Sequence, residues 1–163
     1  MTFIKFVLLL LLLSAFRHFA SGSIHASNKF NIIFHKTNNE FGPIWVFDVL
    51  DGKNYRCLTY EPPGIGSFQT CIKMTNIDRI PYEYAKIMLS PLYMFNATSD
   101  IKRILLVGMG GGVLVNAYQK MCPQARFDVI EINPDVVYAA KKYFMLDDSQ
   151  PNTRIHVVDG YEF

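Results

Sequence analysis

Short apolar runs alternate with amphipathic stretches along the second half of the chain. The runs Arg103–Val107, Phe127–Ile132 and Arg154–Val158 each have the length and composition of one buried strand. Between them, apolar residues recur at helical spacing from Val113 to Met121 and from Val136 to Phe144. The order β-α-β-α-β predicts a doubly wound parallel α/β sheet with right-handed crossovers.

The first half of the chain has a different pattern, with strands and turns and one later helix. Asp51-Gly52 is a hairpin-turn dipeptide between two of four apolar segments, and Tyr84, Ile87 and Met88 recur at helical spacing before Pro91. The four predicted strands are Phe30–His35, Ile44–Val49, Asn54–Tyr60 and Phe68–Met74. They predict a small antiparallel β domain over residues 23–76, followed by the α/β domain over residues 77–163.

The segment Met1–Ser23 is typical of a secretory signal peptide. Lys5 precedes an apolar run of eleven residues, Phe6–Phe16, and small residues follow it. This run is shorter than the roughly 20 residues that a bilayer-spanning helix needs. We therefore expect a signal peptide over residues 1–22 and a secreted or periplasmic protein. An uncleaved leader that anchors the chain to the membrane is the alternative.

Charge and cysteine content narrow the possible partners. Sixteen basic and fourteen acidic residues leave a net charge of +2, too small for a nucleic-acid binder that works through charge. The three cysteines show no metal-ligand spacing, and we expect no metal. Cys57 and Cys71 would face each other across the predicted hairpin, which allows either a disulfide or two buried free thiols.

A glycine-rich segment follows the strand Arg103–Val107 and leads into a helix. Gly108, Gly110 and Gly112 allow a sharp turn that brings a ligand close to the helix N-terminus. The pattern is GxGxG, with Val113 where a dinucleotide-binding fingerprint has its third glycine. This pattern favours a nucleoside with a short tail similar to an amino acid over a dinucleotide.

Two acidic residues follow the next two strands. Glu131 ends the second strand, where its carboxylate could accept both hydroxyls of a ribose, and Asp159 follows the third, where it could receive an adenine amino group. The simpler alternatives are a solvated strand end for Glu131 and a turn residue for Asp159. We assign Asn133 to helix capping, because it directly precedes Pro134 at the start of a predicted helix.

From about Tyr55 onward, several stretches resemble the polyamine aminopropyltransferases, the spermidine/spermine synthase family, and most of all its bacterial spermidine-synthase-like branch. The stretches are RxLxY from Arg56, Gln69-Thr, PxxYxKxM from Pro81, ILLVGMGGGVL, VIEINPDVVYAAKKYF and RIHVVDGYEF. The resemblance implies a Rossmann-like sheet of the S-adenosylmethionine-dependent transferase type, incomplete in this chain.

The same resemblance implies ligands and further site residues. Members of the family transfer the aminopropyl group of decarboxylated S-adenosylmethionine to a small-molecule amine such as putrescine. Gln69 would contact the amino-acid end of the nucleoside and Tyr84 the amine, while Glu131 would hold the ribose and Asp159 the adenine. The resemblance assigns no catalytic residue in this chain.

The chain also departs from the family pattern. The glycine loop of the family carries an Asp where this chain has Gly111, and Ala85 replaces a His or Gln. Complete members continue to a fourth strand that ends in proton-accepting aspartates. We therefore expect a fragment, a degenerate remnant or half of a split protein that is inactive alone. Its candidate protein partners are a complementing C-terminal half or a second copy of itself. Ile104–Val107 would then form an unpaired sheet edge.

Two other functions remain open, and one of them is not enzymatic. The glycine loop and the ribose acid also fit a methyltransferase that uses ordinary S-adenosylmethionine as its cosubstrate. The leader favours a non-catalytic exported binding protein, because adenosyl donors are made in the cytoplasm.

Overall fold

The computed structural model describes residues 6–10, 30–37, 40–65, 67–77, 80–93 and 100–163. Apart from residues 6–10, the predicted leader lies outside the described residues. The strands are β1 (Phe6–Leu10), β2 (Phe30–Lys36), β3 (Ile44–Val49), β4 (Tyr55–Thr59), β5 (Thr70–Lys73), β6 (Arg103–Val107), β7 (Arg126–Glu131) and β8 (Thr153–Val157). The helices are α1 (Glu83–Met88), α2 (Ser90–Tyr93), α3 (Val113–Met121) and α4 (Pro134–Tyr143).

The antiparallel sheet predicted for the first half of the chain is present, in the order β2-β3-β4-β5. Asp51-Gly52 lies in the connection between β3 and β4, as the hairpin-turn pattern predicts. The last strand begins at Thr70, two residues later than predicted. One face of this sheet buries a small aromatic cluster in which Phe47 packs edge-on against Phe30 and Phe68.

The second sheet is parallel and has the order β1-β6-β7-β8. The predicted parallel arrangement of β6, β7 and β8 is confirmed, and β7 lies between the other two. In the uncleaved chain the edge at Ile104–Val107 is paired, contrary to expectation, because β1 pairs parallel with β6 and places Leu8 opposite Leu105. An apolar strand edge is satisfied by any extended segment that offers backbone donors and acceptors, and Phe6–Leu10 supplies one.

The helices α3 and α4 begin where the sequence indicates. The Asn133 side chain accepts a hydrogen bond from the Asp135 N–H at 2.9 Å and caps α4, which confirms its predicted role. The predicted helix before Pro91 is two short helices, separated by a turn at Leu89. Pro91 lies inside the second of them, where its fixed φ is compatible with the first helical turn.

The two sheets share a hydrophobic core. Its members from the N-terminal sheet are Ile44, Val46, Leu58 and Ile72, and those from the α/β domain include Leu106, Val115, Phe127, Val136 and Phe144. Lys36 of β2 also pairs with Asp135 of α4 at 2.6 Å. Among the described residues, no helix is long and apolar enough to cross a bilayer.

Candidate functional site

A cavity of about 550 Å³ lies at the carboxyl ends of β6, β7 and β8. One wall comes from the α/β domain and the other from β4, β5 and the start of α1. Most of the predicted site residues line it, namely Gln69, Tyr84, Gly108, Gly110, Glu131 and Asp159. Gly112 lies outside the described lining of the cavity. The structure therefore brings together six of the seven predicted residues.

The glycine loop forms the floor of the cavity between β6 and α3. The Gly108 N–H donates to the Ile130 carbonyl at 2.8 Å, which attaches the loop to the neighbouring strand. Gly112 has a left-handed φ of 75° and is the N-cap of α3. A Cβ there would lie 2.8 Å from Leu146, so this glycine serves the turn and close packing. Gly112 has no side chain that could cap the N-terminal amides of α3.

Glu131 is the most constrained acid of the cavity. Its side chain is 6% exposed. One carboxylate oxygen accepts a hydrogen bond from the Met109 N–H at 2.9 Å, and the other accepts one from the Asn133 N–H at 3.0 Å. Each oxygen keeps a second lone pair, so both remain able to accept a ligand hydroxyl. The carboxylate is thus buried and held by two backbone amides, and its two oxygens could accept hydrogen bonds from a pair of neighbouring hydroxyls.

A partly buried tyrosine, Tyr60, lies near this carboxylate. Burial raises the pKa of the Tyr60 hydroxyl, and the negative charge of Glu131 raises it further. Tyr60 therefore stays protonated across the physiological range and can act as a hydrogen-bond donor in the cavity.

Asp159 follows β8 and lies at the other end of the same wall. Its Oδ1 accepts a hydrogen bond from the Tyr161 N–H at 2.9 Å, which closes a local turn. The residue also lines the cavity. The turn and the ligand-binding interpretations are compatible, because one carboxylate oxygen closes the turn and the other is not needed for it.

The N-terminal wall holds Gln69 and Tyr84 through backbone groups. The Gln69 N–H donates to the Leu58 carbonyl at 2.9 Å, and the Tyr84 hydroxyl donates to the Gln69 carbonyl at 3.0 Å. Tyr82 stacks on Tyr84 with ring centroids 5.6 Å apart. Burial raises the pKa of Tyr84, and a hydrogen bond with the Thr70 side chain partly opposes that rise. Both tyrosines are therefore neutral, oriented aromatic groups.

A disulfide joins the two strands of this wall. Cys57 and Cys71 lie directly opposite each other on β4 and β5 and are bonded, so the disulfide alternative is confirmed over two free thiols. The Cys71 sulfur lies 3.0 Å from the Tyr82 hydroxyl. Cys122 is a free, buried cysteine of the α/β domain.

Several cavity residues were missed by sequence reasoning. Thr70, Tyr82 and Tyr60 line the cavity but carried no predicted role. Thr70 directly follows Gln69 and Tyr82 lies two residues before Tyr84, so proximity to predicted residues was the available signal. Within the described ranges, no group of three His, Cys, Asp or Glu residues is arranged to hold a metal ion.

Comparison with known proteins adds the family. No protein-family model matches the chain. The chain is 34% identical over 129 residues to a polyamine aminopropyltransferase of Vibrio vulnificus, covering 78% of this chain and 41% of that protein. It is also 41% identical over 64 residues to an eEF1A lysine and N-terminal methyltransferase homolog of Drosophila melanogaster, covering 38% of this chain and 9% of that protein.

Solved structures show the same fold. Spermidine synthase from Thermotoga maritima matches with a TM-score of 0.59 and 21% identity, over 81% of this chain and 42% of that one. A spermidine synthase in complex with the transition-state analogue AdoDATO matches with a TM-score of 0.58 and 20% identity, over 81% and 42% respectively. The chain spans less than half the length of these relatives. By its 34% identity to the Vibrio vulnificus protein over 78% of its own length, the chain belongs to the polyamine aminopropyltransferase family.

Proposed function

We propose that the cavity binds the adenosyl group of decarboxylated S-adenosylmethionine and that the chain supplies the donor-binding part of an aminopropyltransferase. One observation carries this proposal. Gly110, Glu131 and Asp159 come from three separate strand ends and line a single cavity. The carboxyl ends of parallel strands are where open α/β sheets bind their ligands.

The contacts of each residue support a specific role. Glu131 would accept the two ribose hydroxyls with its remaining lone pairs, since backbone amides already hold both of its oxygens in place. Asp159 would accept a hydrogen bond from the adenine amino group. Gln69 would contact the tail of the nucleoside, and Tyr84 would contact the acceptor amine.

The proposed reaction is an in-line displacement. The amine nitrogen attacks the carbon beside the sulfonium, the carbon–sulfur bond breaks, and its electron pair stays on sulfur to give a neutral thioether. The amine must lose a proton to a base, because an ammonium has no lone pair. None of the described residues is assigned this role, and the proposal for this chain is donor binding.

Titration calorimetry with decarboxylated S-adenosylmethionine tests the proposal. We expect one saturable site, and competition by 5′-methylthioadenosine, which shares the adenosine but lacks the charged tail. Absence of heat with both compounds, for a protein that unfolds cooperatively, would contradict the assignment of the cavity to an adenosyl ligand.

A methyl-transferring alternative has its own support. The Drosophila relative whose name describes a methyltransferase is 41% identical to the chain over 64 residues. Gly111 also stands where the aminopropyltransferase loop carries an acid. Ordinary S-adenosylmethionine differs from the decarboxylated form by one carboxylate, so the two compounds form a matched pair. Tighter binding of the ordinary form would favour methyl transfer.

We also propose that Met1–Gly22 directs export of the protein. β1 lies inside this segment, so cleavage after Gly22 would remove the strand that pairs with β6. The intact mass of protein recovered outside the cytoplasm measures the N-terminus directly. A species that begins at Ser23 supports export with cleavage, whereas protein found only in the cytoplasm contradicts export.

A further inference from the structure

Thr70 occupies the point where the two walls of the cavity meet. It is the first residue of β5, it is 7% exposed, and it lines the cavity. It also contacts the glycine loop, from which it is separated by about forty positions in sequence. A short polar side chain from one domain is therefore enclosed against the ligand-binding loop of the other.

The Thr70 side chain joins the loop to the wall that carries Gln69 and Tyr84. The Gly111 N–H donates to the Thr70 Oγ1 at 3.1 Å. Thr70 directly follows Gln69, whose carbonyl accepts a hydrogen bond from the Tyr84 hydroxyl at 3.0 Å. The loop is therefore linked to this wall by a hydrogen bond to the Thr70 hydroxyl and by the backbone that joins Thr70 to Gln69.

The Thr70 side chain also leaves no room for a side chain at two positions of the loop. A Cβ at Gly110 would lie 2.7 Å from the Thr70 Oγ1, and one at Gly111 would lie 2.6 Å from the Thr70 Cγ2 and 2.9 Å from a ring carbon of Phe144. The backbone of Gly111 is outside the left-handed region, so space and not conformation is what requires glycine there. Thr70 therefore sets both the position of the loop and the size of its residues.

We infer that Thr70 is a positioning residue for adenosyl binding. Its hydroxyl holds the glycine loop at a fixed distance from Tyr84 and Gln69, so that the loop amides and the tail-binding wall face one ligand together. This inference rests on the proposed function. It assigns Thr70 no contact with reacting atoms.

The test compares Thr70→Val with Thr70→Ser. Valine has the shape of threonine without the hydroxyl, and serine keeps the hydroxyl without the methyl group. With 5′-methylthioadenosine as the probe in calorimetry, we expect Thr70→Val to bind roughly five- to tenfold more weakly and Thr70→Ser to bind within about twofold of the unsubstituted protein. Thermal unfolding of both variants reports on their stability separately.

An NMR measurement follows the hydrogen bond itself. In protein labelled with ¹⁵N-glycine, we expect the Gly111 amide proton to move upfield in Thr70→Val and to stay in place in Thr70→Ser. A merely structural role predicts affinity losses that follow thermal stability in both variants, with no rescue by serine.

Three results would overturn the inference or its basis. Unchanged affinity in Thr70→Val overturns the positioning role, and so does an equal loss of affinity in Thr70→Ser. If the unsubstituted protein binds no nucleoside while its Gly111 signal still depends on the hydroxyl, the proposed function is wrong. The hydrogen bond from the loop to Thr70 is then supported on its own.

Discussion

The two walls of the cavity are built by different means. The α/β wall is fixed within its own sheet, because the backbone of Asn133 and of Met109, which follow the neighbouring strands β7 and β6, holds Glu131. The N-terminal wall has its own disulfide between Cys57 and Cys71, but it also depends on a contact outside its sheet, between Thr70 and Gly111. The first wall keeps its geometry as long as β6 and β7 pair. The second needs the whole tertiary structure.

This difference separates two kinds of sensitivity. Substitution of Glu131 should act on ligand affinity with little effect on folding, since the strands and their backbone hydrogen bonds remain. Loss of the cross-link in the N-terminal wall should act on stability, whereas substitutions where Thr70 meets the glycine loop should act on binding as well. The predictions below test that division.

The largest expected effect is the loss of the Cys57–Cys71 disulfide. The bond closes a loop with a sequence separation of 14 residues. Removing a cross-link over a loop of that size costs about 3 kcal/mol through the entropy of the unfolded chain. We expect Cys57→Ala with Cys71→Ala to lower the free energy of unfolding by that amount, measured by denaturant titration.

Reductant provides the control for this prediction. It should lower the stability of the unsubstituted protein to a similar extent and leave the double variant unchanged, although Cys122 remains present in both. A double variant as stable as the unsubstituted protein would show that the N-terminal sheet does not depend on its cross-link.

The next largest effect concerns Glu131. In Glu131→Gln, the amide NH₂ replaces one carboxylate oxygen and faces the N–H of Met109 or Asn133, which disrupts the orientation of the side chain. Hydrogen bonds to a charged group contribute about 1.5–3 kcal/mol, so we expect roughly 10- to 100-fold weaker adenosyl binding by calorimetry.

Asp128→Asn is the matched control, since Asp128 is a carboxylate on the same strand. It pairs with His156 at 2.9 Å and lies outside the described lining of the cavity. Its affinity should match that of the unsubstituted protein. Equal losses in both variants would mean that the effect comes from strand charge and not from the cavity.

A third prediction separates space from backbone conformation. Gly111→Ala places a Cβ 2.6 Å from Thr70, and we expect overpacking to cost about 1–3 kcal/mol and to weaken adenosyl binding. Gly52 has a left-handed φ of 78° with open space around it, so Gly52→Ala should cost stability alone, on the order of 1 kcal/mol. Retained affinity in Gly111→Ala would contradict the close approach of the two walls.

The same division explains how much could be predicted from the sequence. The loop after β6 and the acid at the end of β7 follow from local patterns, because parallel strands place their carboxyl ends at one edge. Cys57 and Cys71 could be placed opposite each other in advance, since a hairpin fixes which residues face each other, but the sequence left open whether they are bonded.

Contacts that depend on tertiary packing were not predictable in the same way. The cavity-lining role of Thr70 arises only when β5 meets the glycine loop, which no local pattern encodes. Gly112 makes the turn that the glycine pattern predicts, but a Cβ there would also lie 2.8 Å from Leu146, a packing requirement that the pattern does not reveal. The pairing of Phe6–Leu10 with β6 was also missed, because an apolar run after Lys5 has the same composition in a leader and in a buried strand.

The smallest expected effect involves the contact between α3 and α1. Tyr118 is fully buried, and its hydroxyl donates to the Met88 carbonyl. Burial raises the pKa of Tyr118 from its ordinary value of 10 to about 12. The folded state therefore favours the protonated form, and this contribution is complete below pH 10 and is lost as the pH rises toward 12.

Tyr118→Phe should then have two effects on the free energy of unfolding. At about pH 8, it should lose roughly 0.5–1.5 kcal/mol with the hydrogen bond. Between about pH 8 and about pH 11, the unsubstituted protein should lose about 1 kcal/mol more stability than Tyr118→Phe. Only the unsubstituted protein has the Tyr118 hydroxyl, whose ionisation favours the unfolded state. Tyr161→Phe, at a fully exposed position, should show neither effect. Parallel pH profiles for all three proteins would contradict the link between α1 and α3.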